Sequence, residues 1–381
     1  MKRTFQKPKR VVVKIGSSSL CHKNGQLDHT QIESICDQIA CLRKREISVI
    51  LVLSGAVAAG RHILNESGSS VDNQQAAAAI GQPILMSIFQ QAFRTHDLHV
   101  AQILLTHDDL NNRQRYLNAR NTLENLISHR ILPIINENDT VSTEEIRFSD
   151  NDFLGALCTN LVNADLFIIL SDIDGIAEED PKVNPEARKF DFLTVTRLRE
   201  FQKRYIRKFA GEKNGDKGLG RGGLITKLEA PRMAARYGVS TIIANSRIKN
   251  VLPRLVAGEP LGTMISPDKD RLNSWKAYIA HALKPKAAII IDDGAARALI
   301  EKKGSLLASG VILAKGHFQR GDGIRCCRED GSEVARGIVE YSSEEINKIA
   351  GAHSAAIEKI LGFRYRKGVI HRNNMVITEV K

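Results

Sequence analysis

Long hydrophobic runs are missing from this 381-residue chain: no stretch of about eighteen apolar residues occurs, and with it goes any transmembrane helix. Zinc-type cysteine spacing is missing too. The six cysteines, Cys21, Cys36, Cys41, Cys158, Cys326 and Cys327, include no C-x-x-C pair and no accompanying histidine spacing, so they read as buried or incidental thiols in a reducing compartment. The basic opening Met1–Arg10 leads into a strand-like run rather than the apolar core of a signal peptide, and a cytoplasmic protein is expected. No G-x-S-x-G occurs, so there is no nucleophile elbow, and no Ser-His-Asp set emerges; His107 and His129 read as surface or loop residues. Fixed-period repeats and low-complexity segments are absent as well.

What is present is enough apolar material, 43% of residues, for a large buried core, in a chain long enough for two domains. A net charge of +12 favours anionic partners, among them ATP, acidic metabolites and nucleic acid. The excess is spread along the chain: residues 286–381 hold 16 Lys/Arg against 12 Asp/Glu, which makes no concentrated basic module. The cluster Arg197, Arg199, Lys203, Arg204, Arg207 and Lys208 falls on one helix-like segment and reads as a solvated face.

Strand-like and helix-like segments alternate from residue 10 to about 265, the pattern of an open, mainly parallel α/β sheet sandwiched by helices. Strands are expected at Arg10–Ile15, Ser48–Leu53, His99–Leu105, Ile131–Ile135, Leu166–Leu170 and Ser240–Ala244, with amphipathic helices at Thr30–Arg45, Asn73–Arg94, Asn112–Ser128 and Thr226–Tyr237. From Ala287 onward the texture changes to short β-rich runs with glycine turns, which marks a small second domain. The expected boundaries are a catalytic domain over 1–266, a linker over 267–285, a β-rich domain over 286–364 and a C-terminal extension over 365–381.

Ligands of such sheets gather beyond the carboxyl ends of the strands, so the residues there carry the functional reading. In Gly218–Lys227 four glycines precede a Thr-Lys pair that opens a helix, which suits a phosphate although the spacing is not that of a Walker loop; on glycine content alone the stretch is equally a flexible loop. The first strand holds Lys14 among apolar residues and runs into Gly16-Ser-Ser, so the lysine either snorkels at an edge or neutralises a phosphoryl group. The second strand runs into Ser54-Gly-Ala, where backbone amides at a helix start can be approached closely. Asn136-Glu-Asn-Asp139 and Ser149-Asp-Asn-Asp152 supply amides, carboxylates and hydroxyls that could hold an amino acid by both its charged ends, with Asx turns as the competing account. Ser171-Asp-Ile-Asp-Gly175 reads as a turn over a cofactor's sugar or base, since the remaining ligands of a calcium loop are lacking.

Taken in order, VVVKIGSSSL, LSGAVAAG, Asn118–Thr122, PIINENDTV, SDNDFLGAL, ILSDIDG and GRGGLITK resemble the amino acid kinase family, and within it the branch acting on glutamate at the start of proline biosynthesis. The second domain resembles a PUA domain through Asp293–Ala296, Gly304–Leu307 and Gly316–Asp322. The resemblance implies ATP-dependent phosphorylation of the γ-carboxylate of L-glutamate, with Mg2+ arriving on ATP and no protein metal ligand assigned. It implies that Lys14 and Lys227 stabilise the transferring phosphoryl group and that Asp152 organises them. Ser54, Asn136, Asp139 and Asn151 would hold glutamate, with Asp139 facing the α-ammonium. Lys14, Ser171, Asp172 and the segment Arg221, Gly222, Gly223, Leu224, Ile225, Thr226, Lys227 would hold the nucleotide. Arg221 stands where the family usually has threonine. Proline as a feedback inhibitor and a homo-oligomer are further expectations of the resemblance. The alternatives are a family member with another acidic substrate, or an RNA-binding or RNA-modification accessory protein acting through the second domain; charge in that domain does not support RNA.

Overall fold

The computed structural model describes residues 7–22, 24–64, 70–111, 113–141, 151–179, 184, 186–210, 219–268, 285, 287–302, 304–366 and 368–378, with the backbone alone at 111, 113, 114, 205–210 and 219–226. Ser149, Asp150, Asp180–Val183, Gly218 and most of the expected linker lie outside the described residues. The chain divides into two compact units at residues 269 and 270, each described by itself below.

In the first unit the strands are near-continuous apolar runs, as strands covered on both faces must be. They are β1 (Arg10–Ile15), β2 (Ser48–Leu53), β3 (Val100–Leu105), β4 (Leu132–Glu137), β5 (Leu166–Ser171), β6 (Phe192–Thr194), β7 (Ser240–Asn245) and β8 (Thr263–Ser266). They form one sheet in the order β3-β4-β2-β1-β5-β7-β8-β6, parallel except where β8 runs against β7. β1 is central, parallel to β2 on one side and β5 on the other, with Lys14 opposite Val52 and Ile169. The chain leaves β1 toward one side and returns on the other, which opens a crevice at the carboxyl edge of the sheet.

Side chains alternate across the sheet with a period of two. Val11, Val13 and Ile15 join one core with Ile32, Ile35 and Ile39 of helix His29–Lys44 and Phe89 and Phe93 of helix Val71–Arg94. Val12 joins the opposite core with Leu154 and Ala156 of helix Asn151–Leu161. Lys14, two residues from Val12, therefore points to the face covered by helix Asn151–Leu161. That helix lies close: a β-carbon built on Gly155 would come within 2.8 Å of the Phe167 ring and 3.4 Å of Lys14 Cβ.

Most expected elements fall within one or two residues of those observed, but three differences matter. β4 extends through Asn136 and Glu137. The helix expected from Thr226 begins at Leu219 and runs to Arg236, so the glycine segment lies in its first turns instead of forming a loop ahead of it. In the second unit, part of the expected C-terminal extension is strand β14 (Gly368–Ile377).

That unit contains β9 (Ala288–Ile291), β10 (Leu306–Leu307), β11 (Val311–Lys315), β12 (Gly323–Cys327), β13 (Glu333–Val339) and β14, in the order β10-β14-β13-β12-β9-β11. β14 buries Val369, Ile370 and Met375 in the common core, so it is held by the same burial as its neighbours. The sequence hides this because His371-Arg-Asn-Asn374 interrupts the apolar pattern.

Helices Ala56–Leu64 and Val71–Arg94 cross at two glycines. A β-carbon on Gly60 would fall 2.0 Å from the Ala77 carbonyl oxygen, and one on Gly81 would fall 1.9 Å from that of Ala56. Backbone cannot yield at such distances without the helices separating. Gly81→Ala is therefore expected to destabilise the protein by about 1–3 kcal/mol or more and to lower Tm by several degrees in a thermal melt. Gly304→Ala, where a β-carbon meets nothing within 4 Å, is the control expected to melt as wild type does. Equal melting of the two variants would contradict the close crossing.

Candidate active site

The carboxyl edge of the sheet gathers polar side chains onto an apolar scaffold. Lys14 is 2% exposed and Asp152 fully buried, and burial of either charge without a partner would be prohibitive. Lys14 Nζ lies 2.6 Å from Asp152 Oδ1, and Lys227 Nζ lies 3.6 Å from Asp152 Oδ2. One carboxylate thus faces two ammonium groups drawn from β1 and from helix Leu219–Arg236. Its own place is the second residue of helix Asn151–Leu161, where the positive end of the helix favours a negative charge. The trio carries a net positive charge at an edge of the sheet suited to an anion.

Asn151, the preceding residue, points into a different neighbourhood. Its Nδ2 donates to the Leu53 carbonyl at 2.5 Å, to Asn136 Oδ1 at 2.9 Å and to Ser54 Oγ at 3.1 Å. Asn136 Oδ1 also accepts from the Glu137 backbone N–H at 2.9 Å, and Asn136 Nδ2 donates to Gln82 Oε1 at 2.7 Å. Two strand ends, those of β2 and β4, and two helices are joined by this network. It stands beside the charged trio because Asn151 and Asp152 are consecutive. Gly55, at φ +107°, makes the turn that lets helix Ala56–Leu64 start directly after β2 and Ser54.

Asp139 lies two residues beyond β4 and has no hydrogen-bonding or ionic partner among the described residues. Burial pushes its carboxyl up to about 6. On the other side of β1, Ser171 ends β5 and donates to Asp172 Oδ1 at 3.0 Å. The turn after it is tied down: Asn245 Nδ2 donates to Asp174 Oδ1 at 2.8 Å, and the Ile176 N–H donates to Thr263 Oγ1 at 2.8 Å. Gly175, at φ +117°, passes so near Thr263 that a β-carbon would lie 2.5 Å from Oγ1.

Of the residues singled out from sequence, Lys14, Asp152 and Lys227 meet, and Ser54, Asn136 and Asn151 meet. Ser171 and Asp172 lie at the same edge, at the end of the strand beside β1. Asp139 follows β4 and makes no hydrogen bond or ion pair with these side chains. Arg221, Gly222, Gly223, Leu224, Ile225 and Thr226 are described by backbone alone, as the opening turns of the helix that carries Lys227. Gln82 escaped the sequence reading. Its one signal is Gly81-Gln82-Pro83, a polar residue on the buried stripe of an amphipathic helix.

Comparison with known proteins identifies the family. The pattern of the amino acid kinase family matches residues 9–245, and that of the PUA domain matches residues 287–361. The chain is 46% identical over 376 residues to a protein of Trichlorobacter lovleyi named glutamate 5-kinase, with 98% of each chain covered. Proteins of the same name from Geobacter sulfurreducens, 47% identical with 98% of each covered, and Pseudomonas entomophila, 46% identical with 97% of each covered, match along their length as well. The chain belongs to the amino acid kinase family and carries a C-terminal PUA domain.

Proposed function

We propose that this protein is a glutamate 5-kinase: it transfers the γ-phosphoryl group of ATP to the γ-carboxylate of L-glutamate, giving L-glutamyl 5-phosphate and ADP, the first step of proline biosynthesis. The observation that carries this reading is the pair of lysines on one buried carboxylate, immediately beside a network of neutral amides. The full-length similarity to proteins named glutamate 5-kinase supports it.

The attacking group is a carboxylate with an ordinary pKa near 4, already ionised at neutral pH, so no general base is required. What remains is alignment and the neutralisation of charge as the phosphoryl group passes between oxygens. Lys14 and Lys227 supply that charge, and Asp152 keeps both ammonium groups oriented at the edge of the sheet where the phosphoryl group passes. The unsatisfied backbone N–H groups at the start of helix Leu219–Arg236 receive the nucleotide phosphates. Ser171 and Asp172 flank the nucleotide, and Ser54, Asn136, Asp139 and Asn151 hold glutamate.

Magnesium comes with the nucleotide and offsets phosphate charge. Among the described residues no three carboxylate, thiol or imidazole side chains gather around a metal position. Asp152 already faces two ammonium groups, so this donor set fits an ion held by phosphates rather than by a protein cage. Among the described residues no helix is long and apolar enough to cross a membrane; residence in the cytoplasm and homo-oligomerisation belong to the same reading. Proline, which shares the ammonium and α-carboxylate of glutamate, competes for the same contacts, and activity indifferent to millimolar proline would count against that competition.

The direct test is glutamate-dependent ADP release. Lys14→Ala and Lys227→Ala are each expected to lower kcat by at least one to two decades, about 2–3 kcal/mol of transition-state stabilisation, while changing the glutamate KM little. An unchanged kcat in either variant would remove that lysine from the mechanism.

Asp139 gives the reaction a pH signature. Its carboxyl is neutral below about 6 and charged above it, and an ammonium binds only the charged form. The glutamate KM is expected to be flat above about pH 7 and to rise as pH falls through 6. Asp139→Asn should have a higher KM that no longer changes across this window. A wild-type profile flat from pH 5 to 8 would show that Asp139 does not meet the ammonium.

All the phosphoryl-transfer residues precede residue 228. A chain ending near Leu283 is therefore expected to fold, by circular dichroism, and to phosphorylate glutamate. A folded but inactive truncation would show that the PUA domain completes the site.

A further inference from the structure

Gln82, Asn136 and Asn151 form a file of three buried amides whose orientation is fixed at two points by backbone groups that cannot swap roles. The Glu137 N–H can only donate, so the atom of Asn136 facing it is Oδ1. The Leu53 carbonyl can only accept, so the atom of Asn151 facing it is Nδ2. Asn136 Nδ2 is thereby turned toward Gln82, which must present Oε1 to it, as it does at 2.7 Å. The two hydrogens on Asn151 Nδ2 are shared among Leu53, Asn136 and Ser54. What the file leaves over is one acceptor, Asn151 Oδ1, and one donor, Gln82 Nε2, both buried and both without a hydrogen-bond partner among the described residues. A buried amide oxygen left without a donor is costly, and such orphans in an otherwise paired network point to a ligand.

Resting on the glutamate kinase reading above, we infer that Gln82 is a positioning residue for recognition of the substrate's α-ammonium. Its Oε1 holds the Asn136 amide, Asn136 Oδ1 holds the Asn151 amide, and Asn151 Oδ1 is left as an acceptor for a donor on the substrate. Glutamate at neutral pH has one kind of donor, the ammonium; its two carboxylates offer none. Asp139 then supplies the charge that attracts the ammonium, and Asn151 Oδ1 the direction. The residue after Gly81 of the close helix crossing is Gln82, which meets Asn136 at the end of β4.

The test is Gln82→Met, which keeps the length of the side chain and removes both polar atoms, set beside Gln82→Glu, which keeps an acceptor oxygen. ADP release is measured with glutamate as substrate and with glutarate, the same diacid without the ammonium, as competitive inhibitor. Gln82→Met is expected to raise the glutamate KM about tenfold or more, with kcat and the ATP KM within about twofold of wild type and the glutarate inhibition constant unmoved. Gln82→Glu is expected to recover most of the glutamate KM. The inference is overturned if Gln82→Met leaves the glutamate KM within about twofold, or if it weakens glutarate by the same factor as glutamate, which marks a general loosening. A folded Gln82→Glu as impaired as Gln82→Met overturns it equally. Wild-type protein that releases no ADP with glutamate overturns the functional reading and this inference together, whereas an active wild type with an unmoved Gln82→Met overturns this inference alone.

Discussion

The ion pair between Lys14 and Asp152 is the constraint on which the rest of the site depends. An ammonium in the central strand of a sheet buried on both faces cannot stand alone, and its partner must come from the element covering that face. This forces helix Asn151–Leu161 down onto β1, and Gly155 is what lets it approach. The helix start then fixes Asn151 and Asp152 together, and successive residues at a helix start diverge by roughly 100°. Asp152 consequently turns to the two lysines and Asn151 to the amides at the ends of β2 and β4. A charged subsite and a neutral one are set side by side by a single residue step of the helix.

The same logic explains how the surroundings are organised. The charged trio sits at the crevice where the chain reverses direction across the sheet, so strands from both sides contribute: Ser54 and Asn136 from one, Ser171 and Asp172 from the other. The turn after β5 is held by Thr263 and Asn245, whose hydrogen bonds leave Gly175 no room for a side chain. Rigidity on that side suits a group that binds and orients. On the other side Asp139 is half-buried and has no partner among the described residues, an arrangement costly in the free protein and relieved by a cation.

Much of this was legible in the sequence because the signals were violations of local expectation. β1 and β2 are found at Arg10–Ile15 and Ser48–Leu53 as expected, since uninterrupted β-branched and aliphatic runs leave little ambiguity. Lys14 stood out as a charge inside such a run. Asn136 and Asn151 stood out as amides at strand and helix boundaries. The remainder was hidden by residues that locally resemble something else. Gln82 looks like any polar position of a helix until its neighbour across the fold is known. Glycines before Lys227 suggested a loop, yet the helix takes them in from Leu219. β14 was obscured by four polar residues in its middle, although its flanking apolar residues complete the core of the second unit.

The central claim is that Asp152 acts by holding two lysines in place for a charge that exists only during transfer. The most direct measurement is the single-turnover rate of phosphoryl transfer in Asp152→Asn, saturated with ATP and glutamate. The account predicts a rate at least about a hundredfold below wild type, with the affinities for both substrates little changed. A single-turnover rate within about threefold of wild type would contradict it.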